Sequence, residues 1–466
     1  MQCYLPDNDR SFIYEYKILV NHASSTEVMT SVALIVLDTL RKDAFDDGFD
    51  WLPGRRFDHA WSTAKWTMPA HASLFTGKYA SEVGVHAKAE GFDCPESALA
   101  EYLQQAGYTT RAFSANLMVS PVFGFDRGFD TFQGAWRINV NSKGLKGWKE
   151  ITEIGQGDTG AQKYADVVRR ALAGQYRIWP SIKRGIQKRT GGFLEKTTDD
   201  GATRFLQIVQ ETQYGDQEFL FANLMEAHAP YSPPTSSIDD SSYDEVAATL
   251  TENEPDGEPI REAYDEAVRY LSDKYRQIFA ELEREFDYVI TVGDHGELFG
   301  EHGSWRHLHG VYPELTHIPL VISGPNCTGS CTKPTSLLDV HRTILELTGI
   351  DAPSRGQDLL GEITEQPRLV EYEGLRSPRI EMMYDAGYAD SLIATYDAPL
   401  MGFAASDAYF GYETLDGWNE CGVPPVEDPR KYLQELQETL EIRNTVSDKL
   451  EVSDAVKAKL RDLGYA

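Results

Sequence analysis

The stretch Thr67-Met68-Pro69-Ala70-His71-Ala72-Ser73-Leu74-Phe75-Thr76-Gly77 is a short polar turn running into an apolar segment that closes on glycine. Pro69 suits the first turn of a helix, where its missing N–H is no loss, so Thr67 stands at a helix mouth with free backbone N–H groups behind it. That end of a helix favours negative charge, and a tetrahedral oxyanion beside the Thr67 hydroxyl needs no further basic side chain. Two other segments end in a matching way: the apolar run 31–37 leads into Asp38, and the run 288–293 leads into Asp294-His295. Taken singly, Thr67 reads as a helix N-cap, Asp38 as the cap of a helix opening at Thr39, and His295 as a turn residue. Taken together they mark the carboxyl edge of a sheet, where ligands of open α/β folds bind.

The elements that must position these groups follow from the apolar pattern. The runs ending at Asp38 and Asp294 are nearly unbroken, which is the pattern of strands buried on both faces of a largely parallel sheet. Further strands are expected over 57–61, delivering Thr67, over 109–116, ending in Ser114 and Asn116, and over 219–226, ahead of His228. Helices are expected over 95–107, 199–212, 260–285 and 337–349, the last ended by glycine. Lys65 is read as a solvated lysine, and His86 reaches the site only if its loop folds back. Residues 239–259 read as a long acidic loop, and 139–192 as a helical insertion with local basic pairs such as Lys183-Arg184 and Lys188-Arg189. Between Glu301 and His317 lie four of the chain's 11 histidines, His302, His307, His309 and His317. From Arg368 the pattern changes to short strand-like segments over 369–373, 392–396 and 408–413, with helices near 429–440 and 452–463. The reading divides the chain into an N-terminal extension (1–28), a catalytic unit (29–365) and a small C-terminal subdomain with terminal helices (366–466).

Composition narrows the function. Against 44 Lys and Arg stand 73 Asp and Glu, a formal charge of -29, which argues against a nucleic-acid phosphate-binding surface. The acids are spread along a chain that is 41% hydrophobic, which suits a salt-adapted source better than a disordered acidic tail. Five cysteines, Cys3, Cys94, Cys327, Cys331 and Cys421, give an odd count suited to reduced thiols. The close pair Cys327 and Cys331 is either a loop disulfide or a weak zinc signal. No stretch is long enough to span a bilayer and nothing resembles a signal peptide, so a cytoplasmic location is expected.

Four separated motifs, in order, resemble the sulfatase family of the alkaline phosphatase superfamily: residues 34–41 around Asp38, residues 67–77, the run Gly293-Asp294-His295-Gly296-Glu297 through Gly303, and Ile318-Pro319-Leu320-Val321-Ile322. The resemblance runs from about Val32 to Gly356. It implies an α/β fold with a large, mostly parallel sheet flanked by helices and a small C-terminal α+β subdomain. It also implies a metal ion held by Asp38, Asp294 and His295, with the nucleophile Thr67 facing it. His228-Ala229-Pro230-Tyr231 resembles the family's His-x-Pro-Tyr loop, which makes His228 a substrate-orienting donor or leaving-group acid. Where a sulfatase carries Lys-x-His on the strand over 109–116, this chain has Ser114 and Asn116, so Asn116 becomes a neutral donor to an ester oxygen. Near the leaving-group lysine of the family, His309 is the best replacement and His307 the next, and a second metal on His228 and His309 is the minority reading.

The departures bear on chemistry. Type I sulfatases carry Cys or Ser in a Cys-x-Pro-x-Arg context and convert it to formylglycine; here Thr67 and His71 occupy the two key places, and threonine cannot be converted. Threonine at this position is similar to nucleotide pyrophosphatase/phosphodiesterases and lipoteichoic acid synthases, where the threonine itself is the nucleophile. Thr39 replaces the second Asp usual after the first strand, which removes one hard oxygen ligand. With His295 donating nitrogen, this favours Mn²⁺ or Zn²⁺ over Ca²⁺ or Mg²⁺. The expected activity is a metal-dependent hydrolase or transferase acting through Thr67, with His71, Asn116, His228 and His309 in support. Its partner is a small anionic ester, free or carried on a glycan or lipid. A phosphoester is favoured, a sulfuric ester hydrolase using unmodified threonine is the first rival, and a non-catalytic metal-stabilised binding protein the second.

Overall fold

The computed structural model describes residues 30–89, 91–134, 199–231, 233–234, 244–250, 255–406 and 409–443. The extension 1–28, the basic segment 139–192 and the helix expected over 452–463 lie outside the described residues. The core is an eight-stranded sheet built from β1 (Val32–Leu37), β2 (Arg55–Phe57), β3 (Thr109–Ser114), β4 (Thr131–Gly134), β5 (Glu218–Leu224), β6 (Tyr288–Gly293), β7 (Leu320–Ser323) and β8 (Ser330–Cys331), in the order β8-β2-β7-β6-β1-β5-β3-β4. β1 lies parallel to both β5 and β6, β3 lies parallel to β4 and β5, and β7 runs antiparallel to β2 and β6. Register aligns the carboxyl ends: Leu37 sits opposite both Leu224 and Gly293, and Ser114 opposite Asn223.

The unbroken apolar run of β1 is explained by burial on both faces. Val32, Leu34 and Val36 pack in one core with Met68, Leu74 and Ile344, which belong to helices α2 (Thr67–Thr76) and α7 (Leu337–Leu347). Ala33, Ile35 and Leu37 pack in a second core with Phe205 of α4 (Ala202–Glu211) and Tyr264, Leu271 and Tyr275 of α6 (Gly257–Glu285). Helices α1 (Lys42–Gly48), α3 (Leu99–Gln105) and α5 (Glu245–Leu250) complete the flanks. The long helix α6 opens on Asp256, whose side chain accepts the Glu258 N–H, and buries Ile260, Ala263, Tyr264, Ala267 and Leu271 along one stripe, the spacing of a helix face turned to a sheet.

The C-terminal part is a four-stranded antiparallel sheet, β9 (Arg368–Tyr372), β10 (Leu400–Ser406), β11 (Tyr409–Thr414) and β12 (Gly417–Cys421), with helices α8 (Ser377–Asp385), α9 (Asp390–Tyr396) and α10 (Pro429–Gln437). Its inner face packs on Trp61, Leu298 and Val311 of the main body through Val370, Phe410 and Tyr412. The Glu371 N–H donates to the Thr63 carbonyl at 2.9 Å, so β9 touches the segment leading to Thr67.

Several expectations are corrected. The strand over 57–61 divides: Arg55–Phe57 joins the main sheet, while Ala60–Trp61 pairs with His317–Ile318 and Thr335–Ser336 in a separate small sheet. Residues 392–396 are helical, because Ile393 alone is buried there and the Leu392 and Ile393 N–H groups close onto Ala389. The acidic loop contains helix α5, which buries Glu245, Val246 and Ala248. The loop-disulfide option for Cys327 and Cys331 fails, since both are free thiols, as are Cys94 and Cys421, which agrees with the reading of reduced cysteines. Among the described residues no helix is long and apolar enough to cross a membrane.

Candidate active site

Thr67 is the first residue of α2, and the cap position belongs to Trp66, whose side chain makes no capping hydrogen bond. Thr67 is therefore not the N-cap. All ten residues of α2 are buried, and the helix ends at Gly77 in the left-handed region (φ 67°). A side chain at Gly77 would meet His341 Nδ1 at 2.4 Å, so the helix can stop there only with glycine. The uncapped first turn leaves the positive end of α2 turned toward the Thr67 hydroxyl.

Around that hydroxyl the strand ends converge. Thr67 Oγ1 lies 3.3 Å from His295 Nε2 and 3.4 Å from Asn116 Nδ2. Among the described residues, Asp38, Asp294 and His295 are the one group of three whose ligand atoms all lie within 4.8 Å of one another, and all three are buried. His295 places its Nδ1 proton on the Gly296 carbonyl at 2.9 Å, which leaves the Nε2 lone pair facing Thr67 and Asp294 Oδ2, 3.6 Å away. Asp38 Oδ2 accepts from Asn116 at 2.8 Å and from Asn223 at 3.0 Å, and its Oδ1 accepts the Thr39 hydroxyl at 2.8 Å.

Two buried carboxylates this close cannot share a charge equally. Burial works against ionised Asp38, yet the nearby His228 and His295 and the Asn116 and Asn223 amides hold its carboxyl below the usual range. Burial pushes Asp294 well above it, and the charge of Asp38 adds to the rise. Asp294 Oδ1 accepts the backbone N–H groups of Thr39 (3.1 Å) and His295 (2.9 Å), but Oδ2 is buried without a hydrogen-bond partner. An orphaned carboxylate oxygen, a second carboxylate and an imidazole lone pair within one small radius fit a divalent cation, which would restore ionisation of both acids.

Thr39 has a part that the sequence did not suggest. Its backbone is left-handed at φ 62°, a conformation that costs a non-glycine residue about 1–2 kcal/mol, and this turn aims its N–H at Asp294 and its hydroxyl at Asp38. The turn is braced by Tyr264 of α6, which donates to the Thr39 carbonyl at 3.1 Å and accepts the Arg41 N–H at 2.8 Å. His71, one helical turn below Thr67, bonds the Thr67 carbonyl through Nδ1 at 2.9 Å, and its Nε2 lies 3.3 Å from the Asn223 amide. Burial lowers His71 to about 4, so it is neutral and sits 3.7 Å behind Asp294 Oδ2.

The other face is made of histidines. His228 rests its Nδ1 on the Ala229 carbonyl at 2.6 Å. The His307 ring lies 4.8 Å from that of His295 and 5.4 Å from that of His228, and its Nδ1 meets Glu297 Oε1 at 2.9 Å. Glu297 also accepts the Tyr231 hydroxyl at 2.7 Å, and burial raises its carboxyl to about 7. His309 points elsewhere: its ring packs at 5.0 Å from Tyr372 and 4.9 Å from Tyr396, its Nε2 is buried without a partner, and burial lowers it to about 3. Among the described residues His309 does not join the closely spaced group of Asp38, Asp294 and His295, and of the two candidates it is His307 whose ring stands beside those of His228 and His295. Lys65 is also corrected: it is only 6% exposed, with Nζ donating to the His307 and Leu308 carbonyls at 2.6 and 2.8 Å. His86 is engaged locally with Ala89 and Lys88. Asn223 and Glu297 escaped the sequence reading, though a lone amide inside Phe219-Leu220-Phe221-Ala222-Asn223-Leu224 and an acid directly after Asp294-His295-Gly296 were the available signals.

Comparisons with known proteins agree on the class. The Sulfatase family model matches residues 51–350, and the chain belongs to that family of ester hydrolases. A choline-sulfatase of Rhizobium meliloti (strain 1021) is 24% identical over 356 residues, covering 69% of this chain and 68% of the relative. An uncharacterized sulfatase of Escherichia coli (strain K12), YidJ, is 22% identical over 354 residues, 69% of this chain and 66% of the relative. The fold matches the crystal structure of the phosphonate monoester hydrolase of Agrobacterium radiobacter with a TM-score of 0.56 at 16% identity, over 93% of this chain and 95% of that one.

Proposed function

We propose that this chain cleaves phosphate or sulfate esters with the Thr67 hydroxyl as nucleophile, phosphoesters being the better substrates. The observation that carries the reading is the placement of Thr67 Oγ1 at an uncapped helix mouth, between His295 Nε2 and the Asn116 amide. A divalent cation on Asp38, Asp294, His295 and Thr67, Mn²⁺ or Zn²⁺ by ligand type, would supply charge for the attacking hydroxyl and the ester oxygens. The protein's own groups do the rest. The α2 N-terminus and Asn116 meet the equatorial oxygens, Thr39 and Asn223 hold the carboxylates in place, and His228 or His307 protonates the leaving oxygen. Water, or an acceptor alcohol, then resolves the Thr67 ester.

Threonine favours phosphorus over sulfur. A threonine sulfate lacks the hydrate exit open to formylglycine, whereas water attack on a threonine phosphoester is an ordinary second step. The sulfate alternative is supported by the choline-sulfatase likeness. Matched 4-nitrophenyl phosphate, phosphodiester and sulfate esters decide between them. Higher kcat/KM on the phosphorus esters is expected. Equal or greater efficiency on the sulfate, with Thr67 shown unmodified by mass spectrometry, would establish a sulfatase using native threonine.

A further inference from the structure

In a chain of formal charge -29, four basic side chains from three separate segments gather beside the nucleophile. Lys65 precedes Trp66 and Thr67, Arg306 belongs to the histidine loop, and Arg376 and Arg379 come from the start of α8 in the C-terminal part. The Arg376 guanidinium lies over the Trp66 indole, 5.2 Å from the ring centre, one residue from Thr67. Arg379 pairs with Glu245 Oε1, and Arg306 Nε lies 3.9 Å from Glu245 Oε2. Lys65 Nζ stands 5.1 Å from the Tyr372 ring and carries the His307 carbonyl. Lys65, Arg306 and Glu245 are each less than a tenth exposed, at 6%, 9% and 8%.

We propose that Arg376 and Arg379, backed by Arg306 and Lys65, form a subsite for a second anionic group on the leaving group, so that the enzyme prefers esters of anionic alcohols to esters of neutral ones. The inference rests on the ester-hydrolase reading above. In that reading the transferred group meets Thr67, the α2 N-terminus and Asn116, whereas this cluster flanks Trp66 and the backbone of His307, the side of the proposed leaving-group acid. The site already shows its taste in ligands: the protein keeps a carboxylate of its own there, and the cations hold Glu245 below the usual carboxyl range despite burial. A guanidinium stacked on an indole is preorganised for planar recognition of a carboxylate, sulfate or phosphate oxygen pair. Cations gathered beside the site also offset the long-range repulsion that so acidic a protein exerts on any anion.

The test compares two esters of the same transferred group, 4-nitrophenyl and 3-carboxy-4-nitrophenyl, and reads the ratio of their kcat/KM values. Comparing that ratio between proteins cancels the intrinsic difference between the leaving groups. Arg376→Gln should lower the ratio for the carboxylated ester about tenfold, the loss of one charge-assisted contact, and Arg376→Lys should restore part of it. Glu245→Gln should raise the ratio, since it removes the competing carboxylate. Because Arg379 also neutralises Glu245, Arg379→Gln is made together with Glu245→Gln. Equal losses on both esters, or an unchanged ratio in Arg376→Gln, would overturn the subsite. If neither ester is turned over, the ester-hydrolase reading has failed, and calorimetric binding of 5-hydroxy-2-nitrobenzoate against 4-nitrophenol still decides. Tighter binding of the anion, weakened by Arg376→Gln, supports the subsite, and equal binding refutes it.

Discussion

The floor and the roof of the site are built on different principles. The floor, Asp38, Thr67, Asn116, Asp294 and His295, is presented by ends of β1, β3 and β6 and by the first turn of α2, in a register set by backbone pairing. The roof, His307 with Glu297 and Lys65 on short loops and Glu245 at the start of α5, is tied by side-chain contacts between residues up to 243 positions apart. Regular backbone can hold two buried carboxylates against their repulsion, since the strands cannot move apart without breaking the sheet. A loop has no such scaffold, so buried ions and carbonyl contacts fix it instead.

The floor should break most completely at Thr67, the proposed nucleophile. Thr67→Ala should lower kcat/KM by ~10³-fold or more with unchanged circular dichroism, because only a hydroxyl outside the capping position is lost. Residual turnover close to wild type would make Thr67 structural. Next, chelation and Asp294→Asn should both abolish activity, but with different thermal signatures. Chelating the wild type leaves Asp38 and Asp294 facing each other and should lower its Tm, a saturating ion contributing ~3 kcal/mol at a hundred times its Kd. Asp294→Asn relieves that repulsion, so its Tm should be nearly insensitive to chelator. A chelator-independent wild-type Tm, with full activity, would refute the cation site.

The roof should fail more gently. Lys65→Met frees the His307 and Leu308 carbonyls, and a shift of about 1 Å in His307 should cost ~10–100-fold in kcat. Substrates with highly activated leaving groups should be affected least, since they need little proton donation. Equal losses on activated and unactivated esters would show that Lys65 does not act through the leaving-group side.

The smallest effect lies at the seam behind the floor, where Glu371 of β9 accepts the Ser81 N–H at 3.1 Å and the Ser81 hydroxyl. Burial raises its carboxyl to about 7. A raised folded-state pKa means that its contribution is fully present below the unfolded carboxyl pKa and is lost as pH rises through about 7. Wild-type Tm should therefore fall relative to Glu371→Gln between pH 5 and pH 8, by a few degrees at most. Parallel curves for the two proteins would show that Glu371 is not the titrating group.

The sequence by itself determined the floor. Unbroken apolar runs mean strands covered on both faces, such strands bind ligands at their carboxyl ends, and a polar residue closing such a run has few other places to be. The sheet and α6 were legible for the same reason, because hydrophobic periodicity over many residues outweighs local ambiguity. Short elements were not: 392–396 offers the same apolar letters as a strand, yet Ile393 alone is buried there and the Leu392 and Ile393 N–H groups close onto Ala389 as helix α9. Tertiary structure alone decided which histidine stands beside His295. His307 and His309 stand two apart, yet one meets Glu297 and His295 while the other is enclosed by Tyr372 and Tyr396, and those aromatic partners come from the C-terminal part. It likewise decided that Lys65 is buried and that Thr39, standing where the family places an acid, serves Asp38 and Asp294 through a left-handed turn. Each of these depends on partners distant in the chain, and contact between distant segments is what local pattern does not encode.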